Sequence, residues 1–233
     1  MSKLYSHFLS SGFGELNAGS RQHAIDLYRH NYQKFLPENK SAEILDIGCG
    51  MGQFLEFLGL SGYENFLGVD LSEEAIRYCQ ERGMNKVKLI SDLKEFLLCS
   101  RSFDLVVLND VIEHFPKGDV LDILQLINEH LNSGGKVIVK TGNLSSAIGP
   151  HIRYNDFTHE SGFTEYSLTQ VLKISGFKDN MVYPFVTPRN RVRRVIRWLG
   201  QKKLHALWKL VYFFEFENWP RIVDEIIFAV GKK

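Results

Sequence analysis

Apolar runs and helical patterns alternate along the middle of the chain. Between residues 43 and 140, short apolar stretches typical of buried strands are each followed by a segment whose apolar residues recur at helical spacing. This alternation predicts an α/β fold, with a doubly wound and mostly parallel sheet that carries helices on its faces. The predicted strands are 44–47, 66–70, 87–90 and 103–109, and a fifth that ends near residue 140.

The pattern differs ahead of this core. Apolar residues at helical spacing predict an amphipathic helix that ends before Pro37 and packs beside the ligand cleft. Its apolar positions are Ala24, Leu27, Tyr28, Tyr32, Phe35 and Leu36. Residues 10–15, which precede this helix, leave two interpretations open: a segment that closes over a ligand, or a frayed terminus.

A long loop is predicted after the fifth strand, at residues 142–163. The elements expected beyond it are a helix capped by Thr164 and ended by Gly176, a sixth strand within 177–185, and a last strand over 224–230. We therefore expect one domain at 1–233. Its parts are an N-terminal helical cap (1–40), a core (41–185), a basic helical insertion (186–222) and a final strand (223–233).

The segment from Ile44 to Gly52 carries the most chemical information. Asp46 ends an apolar run, and three alternating glycines then lead into a helical pattern. Glycines permit positive φ and allow a ligand to approach the backbone, at the strand edge where open parallel sheets bind ligands. The spacing D-x-G-x-G-x-G differs from the dinucleotide fingerprint G-x-G-x-x-G, whose third glycine comes one residue later.

Polar residues also end the following strands. Asp70 ends the second strand about two dozen residues after Asp46, which suits hydrogen bonds to ribose hydroxyls. Asp92 follows the third strand, and Asn109 ends the fourth. Ser72 is suited to cap the helix after Asp70.

Together these motifs resemble class I S-adenosylmethionine-dependent methyltransferases, over roughly residues 40 to 180. The resemblance implies a Rossmann-like sheet of seven strands with an antiparallel last strand, and S-adenosylmethionine as the cofactor. It also implies that Asp92 meets the adenine amino group and that Asn109 lies near the methionine end. The residues implied to hold the cofactor are Asp46, Gly48, Cys49, Gly50, Asp70, Leu71, Asp92, Leu93 and Asn109. A nucleotide-type fold without methyl transfer stays open, since fold alone does not fix function.

Composition narrows the class of protein further. With 233 residues and a formal net charge of +1, the chain is long enough for a sizeable core, and as a whole it is not a polyanion binder. Its first residues lack a signal-peptide core, and no apolar stretch is long enough to span a bilayer. Cys49, Cys79 and Cys99 lack metal-ligand spacing, which favours reduced thiols in a cytoplasmic protein.

Two segments offer candidates for the acceptor side. Methyl transfer from a sulfonium requires that the acceptor be oriented and, for a hydroxyl, that its proton be removed. Residues 110–114 follow the fourth strand, and residues 153–159 lie in the long loop. The predicted catalytic residues are Glu113, His114, Asp156 and His159. Alternatively, Glu113 and His114 only shape the cofactor pocket, and His159 binds substrate or ties the loop to the next helix.

A metal ion is a further possibility at this place. The spacing D-x-x-E-H puts Asp110, Glu113 and His114 within one turn, and His159 or His151 could add a nitrogen ligand. Some members of the resembled superfamily hold a divalent cation with a related set, and a cation lowers the pKa of an acceptor hydroxyl. Such mixed ligands suit manganese, iron or zinc better than magnesium. Hydrogen bonding alone is the favoured interpretation, because acids and histidines near a cleft often form only hydrogen bonds, and the metal stays undetermined.

The loop also suggests a class of acceptor. Asp156-Phe157-Thr158-His159, followed by Phe163-Thr164, resembles methyltransferases of bacterial surface-polysaccharide pathways over about twenty-five residues. This second resemblance implies a sugar, a sugar nucleotide or a lipid-linked glycan as the acceptor. We therefore expect O-methylation of a sugar or glycan. The alternatives are a small-molecule or RNA O-methyltransferase, or a non-catalytic cofactor-binding subunit.

The insertion is basic and apolar at once. Its positive residues, uninterrupted by an acid, are Arg189, Arg191, Arg193, Arg194, Arg197, Lys202, Lys203 and Lys209. The favoured interpretation is a helical pair packed on the core with a solvated basic face. A second is an interfacial segment (189–214) on anionic lipid at the inner face of the membrane, with Trp198 and Trp208 near the headgroups. Nucleic-acid binding is a third, ranked below the others because no known RNA-binding module is present.

Overall fold

A mixed sheet of seven strands forms the centre of the protein. The structure, a computed structural model, describes residues 18–189, 192–217 and 219–233. The strand order is β3-β2-β1-β4-β5-β7-β6, with β7 antiparallel to both of its neighbours. The strands are β1 (Ile44–Ile47), β2 (Phe66–Asp70), β3 (Val87–Leu89), β4 (Phe103–Asn109), β5 (Leu131–Gly142), β6 (Lys178–Pro184) and β7 (Ile226–Lys232). The expected Rossmann-like fold is confirmed.

Helices connect the strands and cover the sheet. They are α1 (Ala18–Tyr32), α2 (Gln53–Leu60), α3 (Glu73–Glu81), α4 (Leu93–Leu98), α5 (Val120–Glu129), α6 (Gly149–Tyr154), α7 (Glu165–Ile174) and α8 (Val192–Phe216), with 3-10 turns at Gln33–Phe35 and Ile112–His114. Because β1 pairs with β2 on one side and with β4 on the other, the order of connections reverses there. Ligands bind at the carboxyl ends of the strands that flank such a switch point.

Successive residues of the central strands belong to two separate apolar cores, one on each face of the sheet. Leu45 and Ile47 belong to the larger apolar cluster, whereas Ile44 packs with α1 and α2 on the other face of the sheet. Side chains alternate between the faces of a strand, so a strand covered on both faces is apolar throughout. Tyr32 of α1 is fully buried, and its ring meets Phe54 and Phe228 edge-on. The expected amphipathic helix thus packs beside the cleft.

The region after β5 departs from expectation in three details. The segment predicted as a loop contains α6, and the last strand begins at Ile226 rather than at residue 224. A single helix of 25 residues, α8, replaces the predicted helical pair. By contrast, the predicted cap is present, since the Thr164 hydroxyl accepts from the backbone N–H of Ser167 in a capping box.

Two further expectations concern residues 10–15 and membrane-spanning segments. The segment at residues 10–15 lies outside the described residues. No helix within the described ranges combines the length and the apolar character needed to cross a membrane.

Candidate active site

The turn after β1 is built from backbone conformations that suit glycine. Gly48, Gly50 and Gly52 have φ angles of +69°, +51° and +77°. A Cβ at Gly48 would also collide with the side chain of Val111, whereas a Cβ at Gly50 would meet open space. The turn therefore exposes a backbone surface at the carboxyl end of β1, which a ligand can approach closely.

Asp70 fastens this turn from the neighbouring strand. Its carboxylate accepts from the backbone N–H of Gly50 and from that of Ser72, both at 2.8 Å. Burial raises the pKa of Asp70, and these backbone hydrogen bonds offset part of the rise because they favour the charged form. The Ser72 hydroxyl then caps α3 by accepting from Ala75 N–H. The end of β2 and the glycine turn therefore form one hydrogen-bonded unit.

Two buried polar atoms in the cleft have no partner within the described part of the chain. They are Asp46 Oδ1, on β1, and Asn109 Nδ2, at the end of β4. Asn109 Oδ1 is occupied, since it accepts from the Tyr32 hydroxyl at 2.8 Å. Burial, and then the charge of Asp70, raise the pKa of Asp46 well above its usual range. An acceptor and a donor left unsatisfied in adjacent strands indicate a polar ligand, because such atoms are costly to bury without partners.

The remaining residues expected at the cofactor have mixed surroundings. Asp92 caps α4 by accepting from Glu95 N–H at 2.8 Å. Leu93 is buried, whereas Leu71 is 43% exposed. The Cys49 side chain is buried, and burial raises the pKa of its thiol far above the usual value. Cys49 therefore does not offer a thiolate, and its backbone N–H donates to the carbonyl of Val69 at 3.1 Å.

Asp110, a candidate metal ligand, forms an ion pair with the buried Lys140, while its own side chain is 51% exposed. Asp110 has a φ of +56°, and its carboxylate accepts from Lys140 Nζ at 2.5 Å. Burial lowers the pKa of Lys140, but the charge and hydrogen bond of Asp110, together with Tyr28 and Glu113, outweigh it and leave that pKa raised. Glu113 is buried, and burial followed by the charge of Asp110 raises its pKa well above the usual range. Glu113 Oε2 has no hydrogen-bond partner among the described residues.

A second cluster joins the end of β4 to the loop after β5. His114 Nδ1 lies 2.9 Å from the Thr158 hydroxyl, which donates to Asp156 Oδ1 at 2.7 Å. The His159 ring lies 4.8 Å from the His114 ring, centroid to centroid, and His159 Nδ1 lies 3.1 Å from the carbonyl of Ile152. Three of the four predicted acceptor-side residues thus meet here.

The surroundings of this cluster shift the pKa values of His114 and Asp156. Burial, and then His159, lower the pKa of His114. Burial raises the pKa of Asp156, but the hydrogen bonds from Thr158 outweigh it and leave that pKa below its ordinary value. Near neutral pH, therefore, His114 is uncharged and Asp156 is ionised.

A pocket that His159 lines is also lined by Glu113. Thr141 and Ser161 line this pocket as well. The carbonyl of Glu113 accepts from Ser161 N–H at 2.9 Å, which ties the turn after β4 to the loop. Both candidate segments of the sequence therefore border one concave space.

The structure also reveals polar residues that sequence reasoning did not select. Thr158 connects His114 with Asp156, Lys140 pairs with Asp110, and Tyr32 holds the amide of Asn109. Thr158 lies inside the quoted motif, and Lys140 lies near the end of a predicted strand, so position alone could have indicated both.

Comparison with known proteins identifies the family. A family model described as a methyltransferase domain matches residues 20–180. The chain belongs to the methyltransferase domain family. The methyltransferase is also 27% identical over 132 residues to a ubiquinone biosynthesis O-methyltransferase of Xanthomonas oryzae, a match that covers 54% of this chain and 53% of that protein. The chain thus spans about half the length of this curated relative.

Solved structures agree in fold. A methyltransferase from Archaeoglobus fulgidus has a TM-score of 0.65 at 21% identity, over 90% of this chain and 94% of that one. Magnesium protoporphyrin IX methyltransferase from Synechocystis, solved with bound S-adenosylhomocysteine, has a TM-score of 0.58 at 14% identity, over 100% and 98% of the two chains. The expected enzyme class is confirmed, and these matches support S-adenosylmethionine as the cofactor of this methyltransferase.

Proposed function

We propose that this methyltransferase transfers the methyl group of S-adenosylmethionine to a hydroxyl group of a small molecule. The observation that carries the proposal is the neutral His114, held by Thr158 and Asp156 beside the cofactor cleft. The O-methyltransferase relative supports oxygen as the acceptor atom. S-adenosylmethionine supplies an activated methyl group, so the chain's own residues must bind, orient and remove a proton.

The cofactor-side residues have complementary roles in this proposal. Asp46 Oδ1 is a buried acceptor for the ammonium group of the methionine end, and Asn109 Nδ2 is a donor for its carboxylate. Asp70 holds the glycine turn and has lone pairs left for the ribose hydroxyls. Asp92 is assigned to the adenine side, as is the exposed Leu71. A cation beside Asp46 would restore its ionised form, since an opposite charge lowers a carboxyl pKa.

His114 is the base in this proposal, because the hydrogen bonds around it select one tautomer. The Thr158 hydroxyl donates to Asp156, so its oxygen accepts from His114 Nδ1–H. This assignment places the lone pair of neutral His114 on Nε2, the atom that takes the acceptor proton. When His114 takes the proton it becomes an imidazolium. The ionised Asp156 stabilises this charge through the intervening Thr158 hydroxyl.

A divalent cation is a second way to activate the acceptor hydroxyl. The described residues that could hold an ion together are His114, Asp156 and His159, whose ligand atoms all lie within 4.8 Å of one another. Two imidazoles and a carboxylate suit zinc, manganese or iron. This set replaces the one expected from the sequence, because Asp110 is paired with Lys140. Sensitivity to a chelator, reversed by one of these metals, would distinguish the cation from His114 as a simple base.

A sugar, sugar nucleotide or lipid-linked glycan acceptor stays a prediction. Two of the polar side chains of the loop that would bind sugar hydroxyls are engaged within the loop itself. Arg153 donates to the carbonyls of His159 and Glu160, and Asp156 accepts from Thr158. We therefore rank a small-molecule hydroxyl above a glycan.

The free thiols of Cys49, Cys79 and Cys99 support the predicted cytoplasmic setting.

The proposal is tested by transfer of a labelled methyl group from S-adenosylmethionine to fractionated acceptors. The fractions are phenols and quinone precursors, sugar nucleotides, lipid-linked glycans, RNA and protein. We expect label on hydroxyl groups of small molecules. Label confined to sugars, glycans or RNA would contradict the proposed acceptor. Cofactor binding without transfer to any fraction would indicate a non-catalytic subunit.

A pair of variants tests the base. His114→Gln should lower turnover about 100-fold or more, since general base catalysis contributes roughly 10²–10⁴ in rate. His151→Gln is the matched control, because His151 is exposed on α6 and lies outside the His114 cluster. Equal turnover of the two variants would contradict the role of His114.

A further inference from the structure

The helix α8 presents an apolar stripe to the solvent. None of its described residues is buried over a length of 25 residues. Apolar side chains recur along one line at intervals of three or four, interrupted by Lys203: Val192, Ile196, Leu199, Leu207, Leu210 and Phe214. Val192 is 77% exposed and Phe214 is 75% exposed. A contiguous apolar surface of this kind marks an interaction site.

The opposite side of α8 holds it against the fold. Trp208 Nε1 donates to the carbonyl of Ser145 at 2.9 Å. His205 Nδ1 lies 4.0 Å from Asp224 Oδ1, and Arg197 pairs with Glu225 at 3.9 Å. Because residues three or four apart share a helix face, these contacts fix the rotation of α8 and direct the apolar stripe outward. Trp208 therefore faces the protein, and not the lipid headgroups near which the interfacial interpretation put it.

Positive charge accompanies the stripe. The basic residues of α8 are Arg193, Arg194, Arg197, Lys202, Lys203 and Lys209, and the first acidic residue of the helix is Glu215. Arg197 and Lys209 contact the fold, at Glu225 and at the carbonyl of Arg221, whereas Lys202 and Lys203 are exposed beside the stripe. A partner of α8 must therefore accept apolar side chains and positive charges on the same surface.

Three kinds of partner can be compared with this apolar and basic surface: a second copy of the chain, a nucleic acid and an anionic membrane. In an antiparallel pair of copies, the stripes would meet around Lys203 and bring two strongly basic helices together, and this repulsion opposes a self-complementary interface. A nucleic acid would neutralise the lysines but leave the leucines in water. Anionic lipid satisfies both requirements, since its headgroups attract lysine and its acyl chains accept leucine.

We propose that α8 binds the surface of an anionic membrane, with its apolar stripe in the acyl boundary and the exposed Lys202 and Lys203 among the headgroups. The hydrogen bond from Trp208 to Ser145 joins α8 to the loop that carries His159. The same loop exposes Tyr154 by 79% and Phe157 by 91%. Bound in this way, the protein would hold its acceptor-side loop close to the lipid. The proposal does not depend on the hydroxyl acceptor proposed above.

Vesicle co-sedimentation of the full chain tests this proposal. We expect binding to vesicles of phosphatidylcholine mixed with phosphatidylglycerol, and none to vesicles of phosphatidylcholine alone. The double variant Lys202→Glu, Lys203→Glu should weaken binding by about 30-fold or more, since each basic residue contributes roughly a factor of five. The control is Lys86→Glu with Lys88→Glu, the same charge change around β3 at the opposite edge of the sheet. It should bind like the unmodified chain.

The apolar stripe is tested by a second variant, Leu199→Gln with Leu210→Gln. Both side chains are exposed, at 51% and 48%, so the fold should be retained, which circular dichroism and the melting temperature check. Loss of vesicle binding supports the proposal. Equal binding to neutral vesicles, unchanged binding of the lysine variant relative to its control, or no binding at all would overturn it. So would a dimer in solution that this leucine variant dissociates, since the stripe would then bind a second copy.

Discussion

Replacement of Asp70 by asparagine tests the link between the glycine turn and the cofactor. The carboxylate accepts two backbone hydrogen bonds at 2.8 Å, from Gly50 and from Ser72. Asparagine keeps one acceptor oxygen and turns an NH₂ group toward the other backbone N–H. A hydrogen bond to a charged group contributes about 1.5–3 kcal/mol, so the free energy of unfolding should fall by about 2 kcal/mol.

The same substitution should weaken S-adenosylmethionine binding more than it weakens the fold. The turn moves when one of its hydrogen bonds is lost, and one ribose hydroxyl also loses a charged acceptor. At about 1.4 kcal/mol per tenfold change, we expect the dissociation constant measured by calorimetry to rise by about 10- to 100-fold.

Asp104→Asn is the matched control. Asp104 likewise accepts a backbone N–H, from Glu43 at 2.8 Å, but it lies near the amino end of β4, away from the cleft. Asp104→Asn should lower the melting temperature without changing cofactor affinity. An unchanged dissociation constant for Asp70→Asn would refute the assignment of Asp70 to the cofactor.

Three further predictions concern the cluster and the turn. His159→Ala should lower turnover by about 10- to 100-fold with unchanged cofactor affinity, because the ring beside His114 is lost; unaltered kinetics would leave His159 a structural role. The acid limb of the pH–rate profile should lie below the ordinary histidine pKa of about 6.5, because burial lowers the pKa of His114 and the base acts when neutral; a limb above that value would contradict the assignment. Gly48→Ala should lower the free energy of unfolding, measured by chemical denaturation, by over ~1 kcal/mol more than Gly62→Ala does. Both glycines have positive φ, but only at Gly48 would the added methyl group collide with Val111. Equal decreases in the two variants would show that the contact is relieved.

Much of the fold could be predicted from local sequence. The apolar run at β1, the glycines after it and the cap at Thr164 each appear where expected, because strand burial, positive φ and helix capping depend on a few neighbouring residues. The cofactor side benefits from the same locality, since Asp46 and Asp70 lie at strand ends, which the topology brings together.

The acceptor side was less accessible to prediction. The sequence placed Asp110, Glu113 and His114 within one turn, but the chain sends Asp110 to Lys140 and His114 to Thr158, 44 positions away. Sequence spacing does not reveal which of several neighbouring polar groups finds a buried partner, because that depends on how a distant strand and loop pack against them.

The sequence by itself determined the fold class and the family, through periodicity and glycine spacing, and it predicted the edge of the sheet at which we propose that the cofactor binds. Only the tertiary structure decided that His114 is neutral, that its hydrogen bonds to Thr158 and Asp156 select its tautomer, and that Trp208 turns the apolar stripe of α8 outward. Burial and hydrogen-bond partners set the first two, and the docking of one helix face sets the third. All three arise from contacts between residues distant in the chain, which local patterns do not specify.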